Sequence, residues 1–335
     1  MPKLDQTSSP RSSLEQRHWF KLICGASYQH LPNIRNLALI YTLAGADCID
    51  VASDPAVIRA AHAGIEAALA ISLRPRPWLM ISCNDGADPH FRKASFDSQA
   101  CLTNCDRPCV PVCPTQAIGF GQGNDGVSSE LCYGCGRCLS LCPVQIIQPQ
   151  EQIYSPADLV HDPVLAWIDA IEIHTQTDRL PEFKALWQKL QALIPHLKLV
   201  SVSCGASPNL ASYLHSLVEV MQPPPPLLIW QTDGRPMSGD LGKGASQATL
   251  KLASQVLGLQ LPGYVQLAGG TNDYTIARAR TLNLGIAGIG FGGYGRKLVA
   301  KVLDLASDRL EQQPHLLAQA VDLAANLVQA VKSPI

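Results

Sequence analysis

The sequence predicts an α/β fold in which a (β/α)8 barrel is interrupted by a small cysteine-rich insert. Eight short apolar runs, each a candidate strand, alternate with segments of helical period. Strands that are apolar throughout are typical of a parallel sheet covered on both faces. Eight such units over about 250 residues is the count of a (β/α)8 barrel. An open doubly wound sheet is the alternative.

The elements are predicted from these runs and from the segments between them. Pro55, after Asp54, and Pro181 suit helix starts. The predicted helices include residues 34–44, 56–70, 181–194 and 247–257. The predicted strands are residues 20–24, 48–52, 78–83, 170–174, 198–204, 227–231, 263–267 and 285–290.

The domain organisation follows from the position of the insert. Residues 1–17 are polar and predict a mobile tail, residues 18–98 and 155–308 form the barrel, and residues 99–150 form the insert. An amphipathic segment at 316–331 predicts a C-terminal helix within residues 309–335. The insert follows the third strand, on the side where barrels accept large insertions.

Composition excludes several classes of protein. Among 335 residues, 47% are hydrophobic and 16% are charged, with a net charge of −1. Such a balance carries no electrostatic footprint for nucleic acid. The longest uncharged apolar stretches are about half of the ~20 residues that a membrane span needs, and the N-terminus lacks the apolar core of a signal peptide. We therefore expect a cytoplasmic protein.

The cysteines of residues 132–143 carry the clearest chemical signal. Their spacing, Cys132-x2-Cys135-x2-Cys138-x3-Cys142-Pro143, is the ligand run of bacterial ferredoxins. In such a run three thiolates bind one [4Fe–4S] cluster, and the cysteine before proline binds the other cluster. Zinc sites usually pair two short Cys spacings, so a zinc site is disfavoured. The run therefore demands a second cluster nearby.

A second run, Cys101-x3-Cys105-x3-Cys109-x3-Cys113-Pro114, lies 29 residues upstream. The sequences after the two Cys-Pro pairs also match, which indicates an internal duplication and a ferredoxin-like module with two clusters. We predict one [4Fe–4S] cluster on Cys113, Cys132, Cys135 and Cys138. We predict the other on Cys101, Cys105, Cys109 and Cys142. The gaps before Cys109 are each one residue too long, so the latter cluster is the better candidate for loss of one iron to [3Fe–4S].

Glycine-rich loops follow the last two predicted strands. Loops at these places form the phosphate site that is common in barrels, because backbone amides can approach an anion closely. Tight turns and close helix packing are the alternative explanation for the glycines. The candidate phosphate or flavin site comprises Gly269, Gly270, Thr271, Gly290, Gly292 and Gly293.

Other polar residues stand at strand ends without a visible pairing. No lysine stands at a strand end to suggest Schiff-base chemistry, and without a pairing the sequence predicts no catalytic set. The residues that could line a pocket are Asp50, Asn84, Asp85, His174, Asp233 and Asn272.

The two cysteine runs, together with Cys24-Gly25-Ala26-Ser27 and the segment 266–272, resemble the light-dependent period family of cyanobacteria. The resemblance spans nearly the whole chain. It implies an iron–sulfur protein that senses redox state and adjusts the period of the circadian clock to light. The partners it implies are the Kai clock proteins and their input kinase.

Two classes of function besides this regulatory protein stay open. One is a flavin-dependent oxidoreductase whose clusters pass electrons to a flavin in the barrel, and the other is a simple electron carrier. A carrier needs no barrel of about 250 residues. We expect a redox-sensing regulatory protein rather than an enzyme.

Overall fold

The computed structural model describes residues 9–87, 91–113, 115–121, 125–129, 131–132, 134–151, 159, 162–234 and 243–333. Eight of the described strands form a closed barrel, in the order β1-β2-β3-β8-β9-β10-β11-β12 around the ring, and all neighbours are parallel. The predicted (β/α)8 barrel is therefore confirmed, and the open doubly wound sheet is excluded.

The described strands lie close to their predicted positions. Pairing of Trp19 with Gly288 closes the barrel, so the last strand begins three residues later than predicted. The strands are β1 (Trp19–Ile23), β2 (Cys48–Ala52), β3 (Trp78–Asn84), β4 (Arg92–Ser95), β5 (Ile118–Gly119), β6 (Gly126–Val127), β7 (Gln148–Glu151), β8 (Ala170–His174), β9 (Leu199–Gly205), β10 (Leu228–Asp233), β11 (Tyr264–Ala268) and β12 (Gly288–Phe291).

Helices cover the outside of the barrel, and the strand side chains that face them form one large apolar core. The described helices are α1 (Pro10–Glu15), α2 (Leu31–Ala44), α3 (Pro55–Ile71), α4 (Cys109–Val112), α5 (Leu180–Leu190), α6 (Leu210–Val220), α7 (Gln247–Gly258), α8 (Asp273–Thr281), α9 (Gly293–Leu303) and α10 (Pro314–Lys332). Pro55 and Pro181 both lie in the first turn of a helix, where a missing N–H costs nothing.

The prediction of a mobile tail over residues 1–17 needs correction. Residues 10–15 form α1, whose N-terminus is capped by the side chain of Ser9. Leu14 of this helix is fully buried against Trp19 and the other residues that fill the amino-terminal end of the barrel. The polar composition concealed this contact because one apolar side chain is enough to seat so short a helix. Residues 1–8 lie outside the described residues.

The barrel interior changes character from its amino-terminal end to its carboxyl end. Side chains at alternate positions point inward, and the strand register sets them in layers. The lowest layer is mostly apolar, with Trp19, Trp78 and Met80 packed together. Barrel interiors are usually filled with branched apolar side chains. The middle layer is polar instead, with inward-facing Lys21, Asp50, Ser82, Glu172, Ser201, Gln231 and Gln266, all buried.

Candidate iron–sulfur site

The insert between β3 and β8 is built from two equivalent halves. Strand β4 pairs with β7, and β5 pairs with β6, so the outer strands meet and the inner strands meet. The insert has its own apolar core, centred on Cys109, Cys138, Ile118 and Ile147. Cys109 and Cys138 are 29 residues apart, as are Ile118 and Ile147, so this core contains equivalent residues of both halves. The duplication read from the sequence is thus also present in the packing.

The backbone repeats the duplication as well. Gln116 and Gln145, each three residues after the last cysteine of its run, both have φ of 53°. Arg107 and Gly136 are likewise equivalent and have φ of 53° and 72°. Left-handed backbone is unfavourable for residues other than glycine, so its occurrence at the equivalent position in both halves marks a turn that the site requires.

The eight cysteines separate into two sets of four neighbours. In the first set, burial raises the pKa of Cys109, and the nearby thiols of Cys101, Cys105 and Cys142 raise it further. The pKa of Cys101 is raised by burial and by the same neighbours Cys105 and Cys142. Cys142 thus lies among the cysteines of the other run.

The second set shows the reciprocal crossing. Burial raises the pKa of Cys138 to about 12, and Cys135, Cys132 and Cys113 contribute to the shift. The pKa of Cys135 is raised chiefly by burial, with smaller contributions from Cys113 and Cys132. A thiol with a raised pKa stays protonated on its own, and a bound cation reverses this because it binds the thiolate form.

Backbone amides point at the sulfurs. The N–H of Ala117 donates to Cys113 Sγ at 3.2 Å, that of Arg107 to Cys105 Sγ at 3.3 Å, and that of Ala94 to Cys132 Sγ at 3.4 Å. Burial is the largest influence on Cys142 and would raise its pKa, but backbone amides of residues 144–147 together lower it. Such N–H donors stabilise thiolates and tune the potential of a cluster.

The donor set of the insert consists of thiols, the ligands that iron–sulfur clusters take. A cubane takes one thiolate for each iron, so each set of four cysteines offers the number of ligands that one cluster needs. Among the described residues, no group of three or more His, Cys, Asp or Glu side chains is placed to hold a single metal ion.

The loop of the second run lies directly on the barrel. A Cβ on Gly134 would lie 1.9 Å from the carbonyl oxygen of Arg92 and 3.5 Å from Ser27 Oγ, and the φ of Gly134 is 73°. Only glycine permits this approach. Ser27, in the loop after β1, is fully buried, and its hydroxyl has no hydrogen-bond partner within the described part of the chain.

A buried ionic network lies in the barrel below the insert. Lys21 pairs with Glu172 and lies 3.4 Å from Asp50 Oδ2. Glu172 Oε1 also accepts from His174 Nε2 at 2.9 Å and from Gln231 Nε2 at 2.6 Å. The chain of hydrogen bonds continues through Gln266 to Trp19. The ring of Phe91, just before β4, stands edge-on to His174 at 5.0 Å and is fully buried.

The network keeps its charges despite complete burial. Burial by itself lowers the pKa of Lys21, but Glu172 and Asp50 outweigh it and raise the pKa above its usual value. Burial would raise the pKa of Glu172, but Lys21 and His174 hold it well below its usual value. For Asp50 burial prevails and raises the pKa to about 6, although Lys21 lowers it. A lysine held as a cation is a poor nucleophile, so Schiff-base chemistry is disfavoured here.

Sequence reasoning missed this network. Asp50 and His174 were candidates as strand-end residues, but Lys21 and Glu172 lie in mid-strand and their pairing spans 151 positions. A signal was available, because each of these charged residues stands at the centre of a strand predicted to be wholly buried. Charges are seldom buried without a partner, so a lysine and a glutamate at such positions indicate an ion pair between them.

Comparison with known proteins identifies the family. Residues 101–153 match the LdpA Fe–S cluster-binding domain, and residues 164–330 match the Light dependent period A C-terminal domain. The chain is 48% identical over 338 residues to Light dependent period A of Synechococcus elongatus, covering 98% of this chain and 95% of that protein. The chain belongs to the Light dependent period A family.

Other relatives match the insert of this family member. A 7Fe ferredoxin of Hydrogenibacillus schlegelii is 32% identical over 54 residues, which is 16% of this chain and 69% of that protein. The barrel is similar to the YdjI aldolase of Escherichia coli K12 (TM-score 0.49, 10% identity, 95% of this chain and 92% of that one). It is also similar to a truncated 3-deoxy-D-arabino-heptulosonate 7-phosphate synthase of Thermotoga maritima (TM-score 0.42, 13% identity, 92% and 88% coverage). Neither likeness bears on chemistry.

The described helices include none with both the length and the apolar character to cross a membrane.

The glycine-rich loops after β11 and β12 make close contacts within the protein. Gly269 and Gly270 have φ of 67° and 87°, and a Cβ on Gly270 would lie 2.6 Å from the carbonyl oxygen of Ala245. Thr271 donates its hydroxyl hydrogen to the carbonyl oxygen of Gly290. Backbone conformation and packing therefore explain the residue types at positions 269–271, and no bound phosphate or flavin is needed to explain them.

The helices that follow the two glycine-rich loops, α8 and α9, differ in how well their N-termini suit an anion. Helix α8 has a capping box formed by Asn272 and Thr275, and Asp273 adds a negative charge to its first turn, which disfavours an anion. Helix α9 begins after Gly292 and has no side-chain cap, so its first amides suit an anion better.

The remaining strand-end residues form local pairs. Asp85 accepts a hydrogen bond from Thr175, and burial raises the pKa of Asp85 to about 6. Ser203 donates to Asp233, and Asn84 donates to the carbonyl oxygen of Gly86. They are therefore held by neighbours at the barrel mouth.

Proposed function

We propose that this family member is a redox sensor with two iron–sulfur clusters that adjusts the period of the circadian clock to light. The carrying observation is that the eight cysteines form two crossed sets of four. The name of the Synechococcus relative supports the light-dependent clock role. We further propose that the protein acts through the Kai clock proteins and their input kinase.

The crossed sets support two [4Fe–4S] clusters. The second-run cluster would be held by Cys132, Cys135 and Cys138 with Cys113, and the first-run cluster by Cys101, Cys105 and Cys109 with Cys142. Each cluster, when bound, supplies one-electron redox chemistry. The chain positions the thiols, directs amides at the sulfurs and sets the access of solvent.

Exposure distinguishes the two sets. Leu102 and Leu141, each next to a proposed ligand of the first-run cluster (Cys101 and Cys142), are 47% and 42% exposed, whereas Gly134, next to a proposed ligand of the second-run cluster (Cys135), is buried. Oxidants and solvent therefore reach the first-run cluster more readily. Its spacing is also irregular, and the relative named as a 7Fe ferredoxin has one iron fewer than two [4Fe–4S] clusters contain. These observations support the first-run cluster as the labile, sensing one.

The ligand sets are tested by two single substitutions in anaerobically purified protein. We expect eight irons per chain in the wild type, which is the content of two [4Fe–4S] clusters. Cys135→Ser should remove the second-run cluster and leave the other signal in electron paramagnetic resonance (EPR) spectra. Cys142→Ser should damage the first-run cluster instead. Identical loss in both variants would refute the crossing.

The sensing role is tested in a cell that carries Cys105→Ser in place of the native chain. Clock period is followed in dim and bright light, with Cys204→Ser as the control because Cys204 lies at a barrel strand end, outside both sets. We expect the variant to lose the dependence of period on light intensity. A wild-type dependence at normal protein abundance would show that this cluster is not the sensor.

A flavin-dependent oxidoreductase is the second candidate, favoured by the uncapped N-terminus of α9 near the barrel mouth. Absorption spectra of the anaerobically purified protein separate the two, because flavin has peaks that iron–sulfur clusters lack. One flavin per chain would favour the oxidoreductase.

A further inference from the structure

Lys93 is a buried cation at the contact between the insert and the barrel. It lies in β4, and only 5% of the residue is exposed. Its Nζ donates to Gln29 Oε1 at 2.5 Å and to the carbonyl oxygen of Ser129 at 2.6 Å. Gln29 belongs to the loop after β1 and Ser129 to the insert. The ammonium group therefore joins the two parts of the molecule.

Lys93 lies beside the ligand loop of the second run. The next residue, Ala94, donates its amide hydrogen to Cys132 Sγ. Ser129 stands three residues before Cys132, and the amide of Cys132 donates to the carbonyl oxygen of Ser128 at 3.0 Å. The preceding residue, Arg92, presents its carbonyl to the close approach of Gly134. The ammonium group is thus bound to the residue three positions before Cys132, and the backbone on either side of Lys93 contacts Cys132 and Gly134.

The position of Lys93 is also fixed from the barrel side. Gln29 donates through Nε2 to Asp54 Oδ2 at 3.1 Å, and the other carboxylate oxygen of Asp54 caps the first turn of α3. A lysine side chain loses considerable rotamer freedom when it is ordered, so this arrangement needs the compensation of good contacts. An ordered cation in a poorly hydrated place acts more strongly on nearby charge than one in water.

We propose that Lys93 compensates the negative charge of the second-run cluster and sets its reduction potential above that of the first-run cluster. A one-electron reduction makes a thiolate-ligated cluster more negative, so a fixed cation stabilises the reduced form and raises the potential. The first electron that enters the protein then resides, at equilibrium, on the cluster that lies against the barrel. This inference rests on the proposed function, since it needs both clusters.

The test is a potentiometric titration of the full chain, purified without oxygen, with dithionite as reductant and EPR as readout. The variants are Lys93→Met, which removes the charge, and Lys93→Arg, which keeps it. Lys184→Met is the matched control, because Lys184 is exposed on α5 at the outside of the barrel. Iron is counted in every sample.

Two reduction steps are expected in the wild type, and Cys135→Ser should lack the upper one. Lys93→Met should lower the upper midpoint potential and move the lower one less. Lys93→Arg should stay close to the wild type, and Lys184→Met should leave both steps in place. Full iron content with both steps unmoved in Lys93→Met would overturn the assignment.

A second variant covers the case in which Lys93→Met fails to hold iron. Gln29→Glu places a carboxylate against the ammonium group without removing it, and should lower the same midpoint. An unmoved midpoint in Gln29→Glu, or loss of iron in both variants, would overturn the charge-compensating role. A wild-type chain without iron would instead overturn the proposed function itself.

Discussion

Replacement of Lys21 by methionine tests whether the ionic network inside the barrel contributes to folding. Methionine has a similar length and leaves Glu172 and Asp50 buried without their cation. Removal of one member of a buried ion pair typically destabilises a protein by about 3–5 kcal/mol, because the remaining charge is uncompensated.

The structure indicates where in this range the effect should fall. Asp50, whose pKa is about 6, can bind a proton at modest cost once Lys21 is gone. Glu172 keeps His174 at 2.9 Å and Gln231 at 2.6 Å, which offset part of the lost interaction. We therefore expect the free energy of unfolding at pH 7 to fall by about 3 kcal/mol, near the lower end of the range.

The effect should depend on pH with a defined sign. In the wild type the folded pKa of Glu172 lies below its unfolded value of about 4.3, so its contribution to stability is present above that pH and is lost as pH falls. Without Lys21, burial raises the pKa of Glu172, and the folded variant binds protons more readily than the unfolded chain. The difference between variant and wild type should therefore shrink as pH falls from 7 towards about 4.5.

Urea unfolding followed by circular dichroism, at both pH values, measures this difference. Arg59→Met is the control, because Arg59 forms an exposed pair with Asp162, and such pairs contribute about 0.2–1 kcal/mol. A second test is Lys21→Met combined with Glu172→Gln, which should be less destabilised than the sum of the single changes. A change below about 1 kcal/mol at pH 7, or one that does not shrink in acid, would refute the reasoning.

Three further predictions concern separate parts of the molecule. Gly134→Ala should reduce the iron content, because its Cβ would lie 1.9 Å from the carbonyl oxygen of Arg92. Gly258→Ala is the control and should keep full iron, because the space around its Cβ is open. Equal iron counts in the two variants would contradict the tight packing of the Gly134 loop. The pKa of Asp50 is raised to about 6, so the free energy of unfolding of the wild type should fall as pH rises from about 4 to about 6. Asp50→Asn should make this pH dependence weaker. An unchanged dependence on pH, measured by urea unfolding, would contradict the role of Asp50. Lys332→Met should lower the free energy of unfolding by about 2 kcal/mol, because Lys332 Nζ donates to both carboxylate oxygens of buried Asp47, at 2.7 and 2.8 Å. Lys301→Met is the control, because Lys301 is exposed on α9. Equal effects of the two changes on urea unfolding would show that the contact of α10 with the barrel is weak.

Local patterns in the sequence were enough to predict the elements, and they also predict the cluster ligands. The apolar runs placed β2 and β8 at their observed bounds, because a strand buried on both faces is a contiguous apolar run. The two cysteine runs predicted the crossed sets, because ligand spacing in a tight turn is itself local. The crossing stays a prediction until the clusters are measured.

Only the tertiary structure decided how these parts meet. The pairing of Lys21 with Glu172 depends on the strand register around the closed barrel, and no local pattern encodes a register between strands that lie far apart in the chain. Burial of Leu14 depends on the open end of the barrel that α1 covers. The second-run loop lies on the barrel through the approach of Gly134 to Ser27 in the loop after β1, and only the docked insert brings these two residues together. Side chains that interact across long separations are brought together by packing, and their contacts can be read only after the chain has folded.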